Sequence, residues 1–282
     1  MDDLGLREGV DAAVWPLVAQ GRVQALSAMV GGASWARASR EARALDPQQL
    51  DLGLHLDFTE RPLLPGSRQA LGALIQQSYA GRLGRAAVRA EIRAQLDAFE
   101  HTVGRSPAYV DGHQHVHQLP TIREELLAEL ASRAGSHTSQ RPWLRQTRSA
   151  VPLLDMAPSS RALGWRERLK PQVIAALGAT ALRRLAQREG LLQNRRLLGV
   201  YDFNTGAAGY LARLSAWLTW AQDGDLLMCH AGLNQGADAA SDPIAAARAV
   251  EQQVLASSAW GDLLQARGVQ LVPMSRILAA PR

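Results

Sequence analysis

The chain has 282 residues, of which 47% are hydrophobic and 20% charged, a make-up that excludes an intrinsically disordered or low-complexity protein. Its net charge of +5 comes from 31 basic and 26 acidic residues, but the arginines are scattered among glutamates with no aromatic-and-basic strip, which argues against a nucleic-acid partner. One cysteine, Cys229, rules out an internal disulfide, and no apolar run approaches the roughly 20 residues of a membrane span. With no hydrophobic leader either, the expectation is a cytoplasmic protein.

Short apolar segments alternate with longer stretches of helical period, the pattern of βα units around a largely parallel sheet. In chain order the sequence predicts a helix over 7–20, a strand over 23–30, a helix over 34–44 and a strand over 50–56. Helices over 67–79 and 86–101 follow, then a strand over 108–112, a helix over 121–133 and a strand over 143–146. Residues 148–166, interrupted by Pro152, Pro158 and Gly164, read as a long loop of the kind that contributes to a substrate cleft. One helix over 168–188, strands over 197–203 and 225–229, helices over 209–220 and 243–257, and a last strand over 269–273 complete the set. The count suits an α/β barrel or an incomplete barrel, folded as one domain over residues 1–282. Seven tryptophans leave room for a homodimer interface, although most should pack in the core.

The densest chemistry is Asp111-Gly112-His113-Gln114-His115-Val116-His117. Its three histidines stand at i, i+2 and i+4 just past a strand, where extended chain would turn them to one side. Neutral imidazole is the commonest metal ligand. If the strand ends before them, the turn splays them and only some can reach one ion. His55 closes the second strand, and the C-terminal strand ends of α/β barrels carry the reactive groups. Alone it would more often be a satisfied core histidine; the three-histidine segment makes it a ligand candidate. Asp2 and Asp3, adjacent at a strand-to-helix turn, can divide labour, one binding metal and the other taking a proton. Their plain alternative is to face the dipole of the helix that follows. His230, after Met228-Cys229 and before Ala231-Gly232, is placed as a general acid or base would be, with Cys229 a buried structural thiol on the opposite face.

These four segments, in this order, resemble the YdjC-type (ChbG/HpnK) carbohydrate deacetylases from Asp2 to His230, and residues 242–255 resemble that family's acidic-and-arginine helix. The resemblance implies a barrel-like fold, one divalent metal ion (Mg²⁺ or Zn²⁺ first, then Mn²⁺, Co²⁺ or Ni²⁺) and removal of acetyl from an N-acetylated sugar, in an oligosaccharide or a glycolipid. Carried over, Asp3, His55 and His113 would hold the metal, Asp2 would be the base and His230 the acid. His115, His117 and Arg145 would contact substrate or support the site. Family members have an entire strand before the paired aspartates, and this chain begins one residue ahead of them. The first strand is therefore expected to be absent or truncated, which would leave Asp2 and Asp3 on a fraying end. Leu4 stands where the family has phenylalanine and Ala231 where it has proline, a change that loosens the turn aiming His230. The rival readings are a catalytically inactive carbohydrate-binding homologue and another metal-dependent amidohydrolase or phosphoesterase.

Overall fold

A computed structural model describes residues 1–134, 141–154, 163–235 and 239–280. Strands β1 (Ala25–Ala28), β2 (Asp51–Leu56), β3 (Tyr109–Gly112) and β4 (Trp143–Leu144) pair in that order, all parallel. Strands β5 (Leu197–Leu198) and β6 (Leu226–Leu227) form a second parallel pair. Irregular chain joins the two sheets into a ring. On one side Leu144 bridges Gln193 and Ser149 bridges Leu197; on the other Leu4 bridges Ala28, and the Asp2 amide donates to the Cys229 carbonyl at 2.9 Å. The architecture is an α/β barrel whose regular strands are short.

Residues 1–4 thus occupy the position of a first strand, between β1 and the chain after β6. The Ser27 amide donates to the Met1 carbonyl and the Leu4 amide to the Ser27 carbonyl, both at 3.0 Å. Asp2 and Asp3 are 2% and 1% exposed, so the expected fraying does not occur. Closure here also explains why 269–273 is not a strand: the ring leaves no free edge for it. That stretch leads instead into helix α11 (Met274–Ala279), whose Met274 packs on Tyr109 and Trp143 and whose Ser275 bonds Asp51 at the start of β2.

The remaining helices are α1 (Glu8–Ala19), α2 (Trp35–Arg43), α3 (Leu71–Tyr79), α4 (Arg85–Val103), α5 (Ile122–Ala134), α6 (Trp165–Ala176), α7 (Ala179–Arg188), α8 (Ala207–Leu218), α9 (Ala245–Leu255) and α10 (Ser258–Ala266). They pack on the ring and on one another, α4 against β2 and α5, α8 against α9. Three differ from expectation. The helix over 168–188 is two, because Gly178 adopts φ 143° and lies so close to the Gln118 carbonyl that a Cβ would stand 2.2 Å from its oxygen. Trp165 and Arg166, read as loop, open α6, and α10 was not anticipated. Residues 155–162 of the expected loop lie outside the described residues, and none of its described residues lines the active-site cavity.

The interior is packed solid below the site. Tyr109 stacks on Trp143 with ring centroids 4.3 Å apart, and a Cβ on Gly53 would fall 2.5 Å from the Tyr109 ring. Since Trp143 blocks retreat of that ring, Gly53→Ala is expected to destabilise by about 1–3 kcal/mol, read as a lowered midpoint in urea.

Candidate active site

The parallel register sets His55 beside Asp111, and Arg145 follows directly on β4, so these three side chains lie at neighbouring positions of β2, β3 and β4 at their C-terminal ends. His55 Nδ1 donates to Asp111 Oδ1 at 2.7 Å and lies 2.9 Å from the Ser27 hydroxyl, which itself donates to Asp111. With Nδ1 committed, His55 Nε2 faces Asp3 Oδ1 at 3.4 Å. His113 repeats the arrangement with its nitrogens exchanged: Nε2 lies 3.3 Å from Glu60 Oε2, and Nδ1 lies 3.1 Å from the same Asp3 oxygen. Arg248 holds the other Asp3 oxygen at 2.6 Å, and Arg7 holds Glu60 at 2.9 Å.

Asp3 reaches this centre because its backbone is left-handed, φ 72°, a conformation aspartate tolerates better than most residues. Its neighbour Asp2 accepts two hydrogen bonds from Arg145, both 2.6 Å, and Arg145 also lies 2.6 Å from Asp111. Asp2 Oδ2 is 3.9 Å from His230 Nε2. His230 is fixed by its backbone amide, which donates to Glu251 at 2.6 Å, and by an edge contact on Phe203. The missing proline after His230 is therefore made good by α9, which supplies Glu251.

Electrostatics divides these groups into two kinds. Burial pushes the Asp2 carboxyl up, but the Arg145 guanidinium outweighs it and holds Asp2 well below the usual carboxylate range. Burial likewise opposes ionisation of Asp3, and Arg248 and His113 outweigh it. Burial disfavours charge on the His55 and His113 imidazoles as well. Asp111 and Asp2 nevertheless raise His55 to about 9, and Asp3 and Glu60 raise His113 to about 10. His230 behaves oppositely: burial lowers it to about 4, only partly countered by Asp2 and Asp3, so at neutral pH it is uncharged.

The three-histidine segment is splayed, because β3 stops at Gly112 and Gln114 and His115 take φ of 52° and 62°. His113 goes to the Asp3 centre. His115 lines the cavity, where burial lowers it to about 3 and Nδ1 has no partner. His117 is fully buried behind the site, its Nε2 donating to the Arg145 carbonyl at 3.0 Å. Neither His117 nor Arg145 lines the cavity, so their expected substrate contact is corrected: Arg145 is 2% exposed and bonded to carboxylates. Cys229 is buried and its thiol pushed up to about 11 by that burial, an inert group at neutral pH. Nothing in the sequence marks Ser27 or Glu60, and Asp111, Arg248 and Glu251 stand in marked segments without a role of their own. Each is remote in sequence from the group it holds, and only the register of Asp111 opposite His55 would have been readable.

The cavity has a volume of about 360 Å³, with Asp2, Asp3, His55, His113, His115 and His230 at one end and an aliphatic wall of Leu71, Ile75, Leu119, Ile174 and Leu177 at the other. Among the described residues Asp3, His55 and His113 form one of two groups able to hold a metal ion. The second, Asp2, His55 and Asp111, has both carboxylates engaged by Arg145. In the first, each imidazole is clamped at its far nitrogen by a carboxylate and aims the near one at a single oxygen. This is the outer arrangement metal-binding histidines use, so the residues fit a divalent ion.

Glu251 offers a test of the burial. Burial raises its carboxyl to about 7, partly offset by the His230 amide and Tyr201. A raised carboxyl stabilises the fold fully below its unfolded value of 4.5 and loses that contribution as pH climbs through about 7. Between pH 5 and 8 the wild type should lose about 2–3 kcal/mol relative to Glu251→Gln, measured by urea unfolding of both proteins across that range.

A sequence model described as YdjC-like protein matches residues 1–266. A mouse carbohydrate deacetylase is 33% identical over 134 residues, which cover 43% of this chain and 42% of the relative. A chitooligosaccharide deacetylase of Enterobacter sp. (strain 638) is 33% identical over 140 residues, 48% of this chain and 54% of the relative. The chain thus spans about half the length of the curated relatives it matches. A crystal structure from Enterococcus faecalis V583, named for a proposed cellobiose-phosphate cleavage activity, superposes with a TM-score of 0.66 at 18% identity. It covers 98% of this chain and 96% of that one, a likeness of fold.

Proposed function

This chain belongs to the YdjC-like protein family, and on that footing we propose that it is a metal-dependent carbohydrate N-deacetylase, hydrolysing the acetamide of an N-acetylated amino sugar carried on an oligosaccharide or a glycolipid. The observation that carries the reading is the pair of clamped imidazoles converging on Asp3 beside the Asp2–His230 couple, at the end of one cavity. Relatives named carbohydrate and chitooligosaccharide deacetylases support the choice of substrate. Asp3, His55 and His113 would hold the ion. A divalent ion there would polarise the amide carbonyl and acidify the attacking water.

That acidification matters because Asp2, held ionised by Arg145, is a weak base. It takes the water proton, and His230 Nε2, 3.9 Å away and uncharged at rest, receives that proton and delivers it to the departing amine. One proton is relayed through the pair, so no protonated histidine need be present beforehand. His115, uncharged and lining the cavity beside Asp2 and His230, is the residue we assign to the sugar.

The test is acetate release from diacetylchitobiose by chain loaded with Zn²⁺ or Mg²⁺. Release that disappears on chelation supports the reading; no release with any divalent ion, from protein that retains the ion, sinks it. The relay makes a separate prediction. Activity should fall as pH drops toward about 4 and show no alkaline limb due to His230, because its working form is neutral. His230→Ala should lose on the order of 10²–10⁴-fold in kcat across the plateau. An alkaline limb near pH 6–7 that His230→Ala removes would mean the histidine must be preprotonated instead.

A further inference from the structure

Helix α6 presents apolar side chains on two adjoining faces. Trp165, Leu169 and Val173 recur every four residues and so share one side of the helix, where they are 67%, 40% and 51% exposed. The neighbouring side carries Lys170 and Ile174, which line the cavity, while Glu167 and Pro171 are buried. A surface helix ordinarily turns one apolar stripe inward and shows water a polar face. Here the apolar arc continues past the cavity rim to the outside.

The described chain before α6 also carries exposed apolar side chains. Leu153 and Leu154 are 49% and 90% exposed, and the Gln172 side chain ties that stretch to the helix by donating to the Val151 carbonyl at 2.8 Å. Exposed apolar side chains gathered along one helix face mark an interaction surface.

Charge selects the partner. Residues 165–188, α6 and α7, hold six basic residues, Arg166, Arg168, Lys170, Arg183, Arg184 and Arg188, and one acid, Glu167. Glu167 is buried against Arg213 at 2.6 Å. This segment alone carries a charge equal to the +5 of the whole chain, and although Lys170 is paired with Asp202 at 3.2 Å, Arg166 lies beside the stripe with its guanidinium over the Trp165 ring. Two copies meeting here would bring two such basic segments together. An anionic bilayer suits both features: indole and aliphatic groups settle at headgroup depth, and guanidinium binds phosphate.

We propose that α6 docks this protein on an anionic lipid bilayer, with Trp165, Leu169 and Val173 seated among the headgroups and Arg166 at their phosphates. No described helix is long and apolar enough to cross a membrane, so the attachment is peripheral. The proposal does not depend on the deacetylase reading.

The experiment is flotation of the full chain with vesicles of phosphatidylcholine alone and of phosphatidylcholine with phosphatidylglycerol. The wild type is expected to float with the anionic vesicles and much less with the neutral ones. Leu169→Ser with Val173→Ser should lower the anionic partition roughly tenfold, and Arg166→Glu severalfold. All three positions are exposed, so circular dichroism melting should not move; Trp165→Ser provides an independent variant should the double one melt early. Failure of the wild type to float, flotation indifferent to phosphatidylglycerol, or flotation untouched by the substitutions each overturns the proposal. A dimer in sedimentation equilibrium that Leu169→Ser with Val173→Ser dissolves would assign the stripe to a second copy and overturn it as well.

Discussion

On the proposed function, His55→Ala and His113→Ala are each expected to abolish binding of a divalent ion and measurable turnover. Loss of an outer partner such as Asp111, tested as Asp111→Asn, should cost about 10–100-fold in metal affinity, and loss of a ligand itself more than that. Metal content after dialysis and acetate release measure the two effects separately. The titration behaviour adds a readout that does not need turnover. Without an ion, His55 and His113 keep their protons to about 9 and about 10, burial being outweighed by the surrounding carboxylates. A ligand imidazole must be neutral, so uptake of the ion at pH 7 should release about two protons, seen as a buffer-dependent enthalpy in calorimetry. Affinity should fall steadily as pH is lowered. Variants that bind the ion as tightly as wild type and remain active would refute the ligand set.

Arg145→Ala is expected to be the most destabilising single change at the site. Asp2 and Asp111 are 2% and 0% exposed; Arg145 bonds both, and Asp111 is bonded besides by His55 and Ser27. Removal of Arg145 strands the buried Asp2 charge and strips Asp111 of one of its three partners, at a cost of about 3–5 kcal/mol, or a fall in Tm of roughly 10 °C. The sign with pH follows from Asp2. Its folded carboxyl is held below the unfolded value of 3.8, burial notwithstanding, so its contribution is present above that value and is lost on acidification. The penalty of Arg145→Ala should therefore be large at pH 7 and shrink as the carboxyls protonate. Arg145→Lys should recover only part of it, because an ammonium cannot serve both Asp2 oxygens in the planar fork that Arg145 uses. A variant as stable as wild type at pH 7 would show that Arg145 is not the counter-charge of the site.

The barrel was legible because helical period and short apolar runs are local signals, and that His55, His113 and His230 come together at one cavity was legible because each stands at or just after the end of an apolar segment. What failed was long-range. The segment 269–273 has the composition of a strand, but a strand requires an open edge, and pairing of residues 1–4 with both sheets leaves none. Gly178 divides a continuous helical pattern because the Gln118 carbonyl sits against it, a contact no window over 168–188 contains. Arg145 was expected at the substrate, yet its two carboxylates come from positions 2 and 111 and take it out of reach. Spacing marked which residue types carry chemistry and could not tell groups that face the cavity from groups that hold those facing it.

The seam that closes the ring has a bearing on how the protein is made. Asp3 meets Arg248 across 245 positions of chain, Asp2 meets Arg145 across 143, and Asp3 meets His113 across 110. Contacts of such sequence separation must pay loop-closure entropy before they are rewarded, so they are expected to form after the local ones. His55 and His113 can stand together on β2 and after β3 while residues 1–4 are still unpaired, but they have no third ligand until that segment inserts. If Asp3, His55 and His113 are the ligands, an ion would not template early folding, and a half-formed barrel would hold it poorly. On the proposed ligand set, metal occupancy would be a signature of the finished chain, reached only when the first residues and helix α9 have met.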